Sequence, residues 1–117
     1  MQAHANTLCV ANGYEKKYYI SEDFSMLPET IRQELKIMCV LFTEKVGGIL
    51  TLYFNDEGDL LLETASADND FFYDEIGAAL DIKKLQHDQA ELLESLETFY
   101  RVFFLAEEWE DEDAAGH

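Results

Sequence analysis

Four carboxylates between residues 68 and 75 form the densest group of side chains in this sequence that could do chemistry. They are Asp68, Asp70, Asp74 and Glu75. Two carboxyl groups held about 5 Å apart could cleave a glycoside, and a larger group could bind a divalent cation. Because a chain with 25 acids produces such groups without any site, we interpret them as a solvated loop with helix-capping residues. A small metal-dependent or acid-base enzyme using this cluster is the alternative interpretation.

Histidines and glycines give no further indication of catalysis or of a bound cofactor. His4 and His117 lie near the ends of the chain, and His87 falls on the predicted exposed side of a helix. The pair Gly47-Gly48 is not followed by the Lys and Ser or Thr of a phosphate-binding loop, so we interpret it as a helix end. We therefore assign no catalytic, cofactor-binding or metal-binding residue, and we expect no cofactor.

The two cysteines, Cys9 and Cys39, are far apart in the sequence and belong to no CxxC pair. We expect both to be buried free thiols. The N-terminal residues resemble no signal peptide, and no segment approaches the roughly 18 consecutive apolar residues typical of a membrane helix. The expected location is the cytoplasm.

The charge of the chain restricts its partners. The 25 acids and 8 bases give a net charge of −17. Such a charge repels a phosphate backbone or an anionic bilayer within the Debye length of roughly 8 Å. We expect no nucleic acid and no membrane partner, and we expect a basic protein surface to be a better match.

Short apolar segments around turn residues predict two β-hairpins. Their strands are predicted at residues 7–11, 15–20, 49–54 and 60–65. Asn12-Gly13 favours the positive φ angles of a tight turn in the first hairpin, and a polar loop containing Gly58 connects the second. Together the hairpins predict an antiparallel sheet of about four strands.

Helical periodicity predicts a helix from about residue 28 to residue 45. Pro28 suits its first turn, and the inner side is predicted to contain Ile31, Leu35, Met38 and Phe42. Residues 37–42 are apolar on all sides, so a buried strand is an equally good interpretation of that part taken alone.

Two further helices are predicted after the second hairpin. The first is short, contains Phe72, Ile76 and Leu80, is capped by Asn69 or Asp70, and ends at a kink near Asp81. The second is long, from residue 85 to about 105–107. Its inner side is predicted to contain Leu85, Leu92, Leu96, Phe99 and Phe103.

The aromatic end of the long helix has more apolar residues than one buried side can hold. Six of the seven residues at 99–105 are apolar, and burying a large apolar side chain stabilises a protein by roughly 1.5–3 kcal/mol. We therefore predict a homodimer or partner interface here. Its predicted members are Tyr100, Phe103, Phe104, Leu105 and Trp109. Complete burial within one molecule is the alternative.

Trp109 also lies among six acids at residues 107–113. This pattern is typical of an acidic segment whose aromatic residue binds a groove on a basic partner. The alternative is that Trp109 only completes the packing of the helix end while the acids increase solubility.

Several segments together resemble a family of small acidic Firmicutes proteins catalogued as a domain of unknown function. They are KYYISEDFSMLPETI at 17–31, CVLFTEKVGGILTL at 39–52, YDEIG at 73–77 and YRVFFL at 100–105. The resemblance covers residues 7 to 107 and implies one domain. It carries no catalytic or binding residue to this chain.

These observations predict a two-layer α+β fold, with a mid-chain helix and a long C-terminal helix on one face of the sheet. The domain is predicted at residues 1–107, and residues 108–117 are predicted to be a disordered acidic tail. The predicted function is a noncatalytic acidic protein-interaction or regulatory module, chaperone-like or an adaptor, and homodimeric. The chaperone comparison rests on size, charge and element order alone.

Overall fold

An antiparallel sheet of four strands is the base of the computed structural model, which describes residues 6–105. The strands β1 (Thr7–Asn12), β2 (Lys17–Ile20), β3 (Ile49–Phe54) and β4 (Leu60–Ala65) lie in the order β2-β1-β3-β4. The helices are α1 (Glu29–Val46), α2 (Glu75–Asp88) and α3 (Ala90–Phe103). The predicted α+β class and both predicted hairpins are confirmed.

Side chains alternate between the two faces of the sheet, as strand geometry requires. Cys9 is paired with Leu52, and Ala11 with Leu50, and all four side chains are buried in the core beneath the helices. The register between β1 and β3 shifts after Thr7, so that the consecutive residues Leu8 and Cys9 are both buried. One face of the sheet therefore forms the core with the helices.

The structure confirms α1 and decides the ambiguous stretch at 37–42, which is helical. Its predicted inner residues Leu35, Met38 and Phe42 are buried, and Ile31 packs at the edge of the core. Gly47 follows the helix with φ +81°, a conformation that favours glycine. The amide of Gly47 donates to the carbonyl of Thr43 at 2.8 Å and ends the last turn.

The prediction of one long helix from residue 85 is wrong. Leu85 belongs to α2, and the helical conformation is interrupted at Gln89. Gln89 has φ −110° and ψ 23°, and it separates two helices of 14 residues each. No glycine or proline stands at the break. The two helices differ in their packing, since α2 packs against α1 while α3 supplies four buried residues of the core, and both helices contact β4.

The predicted start of the preceding helix is also wrong. Asp74, not Asn69 or Asp70, is the N-cap of α2, and its Oδ1 accepts from the amide of Gly77 at 2.9 Å. The side-chain oxygen is thus placed three residues before the amide that it satisfies, the usual capping geometry. The residues from 66 to 74 are consequently a loop.

Gly13 is needed in the first hairpin for a different reason from the one predicted. The positive φ in that turn belongs to Lys16, at 55°. The amide of Gly13 instead donates to the Gly48 carbonyl at 2.8 Å, and a Cβ on Gly13 would lie 2.8 Å from the same oxygen. Close approach of two backbones, and not turn geometry, therefore requires glycine here.

Within residues 6–105, no helix is long and apolar enough to cross a membrane. The predicted tail at 108–117 lies outside the described residues, and so does its predicted boundary with the domain after residue 107.

Candidate interaction surface

The outer side of α1 carries exposed apolar side chains. Leu35 and Cys39 are fully buried, and a residue two positions further along a helix points about 200° away. Ile37 and Leu41 occupy those positions and are exposed, Leu41 at 62%. This helix therefore has apolar residues on both its inner and its outer side, whereas a surface helix usually has a polar outer side.

The outer side of α2 repeats this arrangement. Ala78 is the buried residue of the helix, and Ile76 and Leu80 stand two positions before and after it. Both point to solvent, and Ile76 is 77% exposed. Ile76 and Leu80, which were predicted to belong to this helix, do so, and both side chains face outward.

A groove of about 370 Å³ lies between α1 and α2. Its apolar lining comes from Met38, Leu41, Phe42 and Leu85. The two helices are tied beside it by an ion pair in which Lys45 Nζ lies 3.4 Å from the Oδ1 of Asp81. The outer sides of the two helices therefore flank one apolar depression.

The bases that line this groove are each paired with an acid. Lys84 Nζ lies 2.7 Å from the Oδ2 of Asp88, one helical turn away. The hydrogen bond between them raises the pKa of Lys84 and lowers that of Asp88. With the Lys45–Asp81 pair, the groove carries two positive and two negative side chains, so it attracts neither sign of charge strongly.

The loop before α2 carries Phe71 and Phe72, whose side chains are 87% and 97% exposed. The Tyr14 hydroxyl on the first hairpin donates to the Oδ2 of Asp70 at 2.6 Å and accepts from the amide of Ala67 at 2.9 Å. The other carboxylate oxygen of Asp70 accepts from the Phe72 amide at 3.2 Å. The bond to Asp70 raises the pKa of the Tyr14 hydroxyl. These bonds fix the backbone that holds both phenylalanines in solvent.

The same loop is fixed at its far end by Tyr73. Its ring lies against Gly48, where an added Cβ would be 2.7 Å from the ring and 2.6 Å from the carbonyl of Ala65. A side chain at position 48 would thus displace the ring or the strand. Asp74 then begins α2, so the two exposed phenylalanines lie between two anchored points.

We call the exposed residues of the two helices and this loop the α1–α2 surface. Its members are Ile37, Leu41, Phe71, Phe72, Ile76 and Leu80. Aromatic and large aliphatic side chains in such a grouping are typical of protein-protein contacts.

The residues predicted as an interface at the end of α3 are divided by the structure. Tyr100 is 2% exposed and lies in the core, where its ring stacks on Phe54 with centroids 4.1 Å apart. Phe103 is 63% exposed, and Phe104 and Leu105 are partly exposed. Trp109 lies outside the described residues. A partner could therefore contact Phe103, Phe104 and Leu105, but Tyr100 is not accessible.

The aromatic rings at the end of α3 contact one another and Phe24 within the same molecule. Phe104 stacks on Phe24 at 4.8 Å and on Tyr100 at 5.0 Å, and Phe103 lies against Phe99 at 4.7 Å. The predicted inner side is shifted accordingly. The buried residues of α3 are Leu92, Leu93, Leu96 and Tyr100. Phe103, predicted to lie inside, is outside.

The carboxylate cluster at 68–75 serves the loop and the helix start. Asp70 binds Tyr14 and the Phe72 amide, and Asp74 caps α2. Among residues 6–105, no group of three or more His, Cys, Asp or Glu side chains could hold a metal ion. The interpretation as loop and capping residues agrees with these contacts.

Cys9 and Cys39 are free and buried, as predicted, with their sulfur atoms 3.8 Å apart. The hydrogen bond with Cys9 and then burial raise the pKa of the Cys39 thiol. Burial, with the two neighbouring sulfurs, likewise raises the pKa of Tyr18. Groups held in the neutral form in this way are poor nucleophiles.

Sequence reasoning placed Phe72, Ile76 and Leu80 in a short helix but did not identify them as exposed. The signal was present in the sequence, because α1 and α2 each have more apolar positions than one side of a helix holds. Which side faces the core depends on the neighbouring elements.

Comparison with known proteins gives one family. Residues 5–108 match the profile of a family described as a family of unknown function, DUF6145. No curated protein and no solved structure matches the chain.

Proposed function

We propose that this chain, which belongs to the DUF6145 family of unknown function, is a noncatalytic protein-interaction module that binds a protein partner through the α1–α2 surface. Its role is that of an adaptor or a chaperone-like protein. The observation that carries the proposal is the exposure of Phe71 and Phe72, at 87% and 97%, on a loop held by side-chain hydrogen bonds.

The free energy of exposure supports this proposal. Fully burying a Phe, Leu or Ile side chain is worth roughly 1.5–3 kcal/mol relative to leaving it in water. Six such side chains on the α1–α2 surface therefore represent stabilisation that the monomer does not gain. A partner that covers them would gain it on binding, less the entropy lost on association.

The rigidity of the Phe71–Phe72 loop supports it further. A mobile loop would lose conformational freedom when a partner ordered it, which weakens binding. Here the contacts of Asp70 with Tyr14, and of Tyr73 with Gly48, set the backbone before any partner arrives. We also propose a cytoplasmic location. The sulfur atoms of Cys9 and Cys39 lie 3.8 Å apart and form no disulfide, which suits a reducing compartment.

Site-specific photo-crosslinking tests the proposed function. A photoreactive phenylalanine is placed at position 72 in one variant and at position 103 in a matched variant, since both positions carry exposed phenylalanines. Each is irradiated in lysate of the source organism. We expect protein adducts from position 72 that disappear when Ile76→Ser and Leu80→Ser are added.

Adducts that form only from position 103 would place the interface at the end of α3 and contradict the proposal. Adducts from position 72 that persist after both serine substitutions would contradict it too, because contact without dependence on the neighbouring apolar residues is not docking. Circular dichroism of each variant shows that the fold is retained.

A further inference from the structure

The charge of the α1–α2 layer differs from that of the rest of the molecule. The helix α1 carries three acids and three bases, and α2 carries three acids and two bases. The layer therefore has a formal charge of −1, and the remainder of the chain carries −16 of the total of −17. The two helices thus present an apolar and nearly neutral face in a strongly acidic protein, while the adjoining loop with Phe71 and Phe72 carries Asp68, Asp70 and Asp74.

This distribution decides which occupant fits the face. A basic partner would be attracted to the acidic remainder and would find little attraction on α1 and α2. A nucleic acid or an anionic membrane is repelled by the whole molecule. A second copy fits, because two helix layers that each carry a formal charge of −1 meet with little local repulsion.

The apolar residues also suit contact between identical faces. A symmetric dimer requires a surface that is complementary to itself. Ile37 and Leu41 on α1, and Ile76 and Leu80 on α2, are pairs with the same spacing of four residues on neighbouring helices. Helices from two molecules can pack such aliphatic pairs against one another.

We infer that the α1–α2 surface is the contact between two copies of this chain, packed helix layer against helix layer. This inference rests on the proposed function and names its partner. Phe71 and Phe72 lie at the edge of that contact, next to the start of α2.

The net charge predicts whether salt strengthens or weakens dimerisation. Two molecules of charge −17 repel each other over distances that exceed the contact itself, and salt screens this repulsion. Dimerisation should therefore strengthen as salt is added. Binding of a basic partner would weaken under the same change, because its attraction is screened.

Sedimentation equilibrium of the purified full chain tests the inference. We expect a mass twice the monomer's 13.5 kDa, with a dissociation constant that falls between about 50 and 500 mM NaCl. Leu41→Glu should raise that constant by at least about tenfold. Met26→Glu is the matched control, since Met26 is 61% exposed against 62% for Leu41 and both substitutions add one negative charge. The control should change the constant by less than about twofold.

A monomeric mass at every salt concentration overturns the inference. Equal effects of Leu41→Glu and Met26→Glu also overturn it, because they would show general charge repulsion and not a specific face. Either result leaves the proposed function standing if position 72 still crosslinks to a different protein. Loss of all adducts from position 72, with a dimer that resists Leu41→Glu, would contradict both.

Discussion

At the scale of single residues, Tyr14 determines how the two exposed phenylalanines are presented. Its hydroxyl bridges Asp70 and the Ala67 amide, linking the first hairpin to a loop more than 50 positions later. The Asp68–Glu75 cluster, which in sequence suggested acid-base chemistry, takes part in this bridge through Asp70. A carboxylate in an acidic chain can thus have a structural role that its neighbours in sequence do not reveal.

The pKa of Tyr14 predicts how the loop responds to pH. The hydrogen bond to Asp70 raises that pKa in the folded protein above the ordinary value of about 10. The contribution of the bond is therefore complete below about pH 10 and is lost as the pH rises through the folded-state value. We expect the NMR signals of the Phe71 and Phe72 rings to stay constant at neutral pH and to change only above that value.

Tyr14→Phe is the control for this titration, because it removes the titrating hydroxyl. The ring signals of Phe71 and Phe72 should already be shifted at neutral pH in that variant and should lose the alkaline transition. A transition that persists in Tyr14→Phe would assign it to another group and contradict the role of Tyr14.

At the scale of elements, α2 and α3 show that the apolar pattern of a helix does not by itself determine which side faces the core. The neighbouring elements determine that. The two helices were predicted as a short helix and a long one, yet each has 14 residues. Both contact β4, but α2 also packs against α1 and α3 supplies more of the buried core. Leu85 therefore joins α2 beside α1, and the buried side of α3 turns toward Leu93 and Tyr100.

The rotation of α3 can be tested by two alanine substitutions. Leu96 is fully buried, so Leu96→Ala should lower the free energy of unfolding by about 2–5 kcal/mol. Phe103 is exposed and contacts Phe99, so Phe103→Ala should lower it by about 1 kcal/mol or less. Urea unfolding measures both. Equal losses would mean that Phe103 lies inside, as the sequence pattern suggested.

At the scale of the whole molecule, the net charge of −17 acts on stability as well as on association. Like charges repel more strongly in the compact state than in the extended chain, so the folded state is destabilised. The described acids are spread over loops, helices and the strand β4, and ion pairs such as Lys16–Glu44 and Lys84–Asp88 join exposed side chains. We therefore expect repulsion to outweigh these exposed pairs, because such pairs contribute little individually.

Thermal unfolding should show this repulsion directly. We expect the Tm to rise by several degrees between about 20 and 200 mM NaCl, because salt screens the acids. The measurement is made on Leu41→Glu, so that salt-dependent dimerisation does not contribute. Glucose at equal osmolality does not screen charge and serves as the control. A Tm that falls with NaCl, or rises equally with glucose, would contradict the expectation.

The sequence by itself determined the features that depend on local spacing. Short apolar segments beside turn residues placed the four strands, and Pro28 with Gly47 bounded α1 to within one residue. The burial and free state of Cys9 and Cys39 also followed from sequence. These features were predictable because each follows from the backbone preferences and apolar spacing of a few consecutive residues.

Only the tertiary structure decided the break at Gln89, the burial of Tyr100 and the outward direction of Phe71, Phe72, Ile76 and Leu80. Periodicity shows that one side of a helix is apolar, but it does not show whether the core or a partner covers that side. In α2 the small residue Ala78 takes the inner position, while the large residues Ile76 and Leu80 point out. The apolar spacing of these residues is therefore equally compatible with a core position and with an exposed surface. The position of α2 against α1 shows that they are exposed.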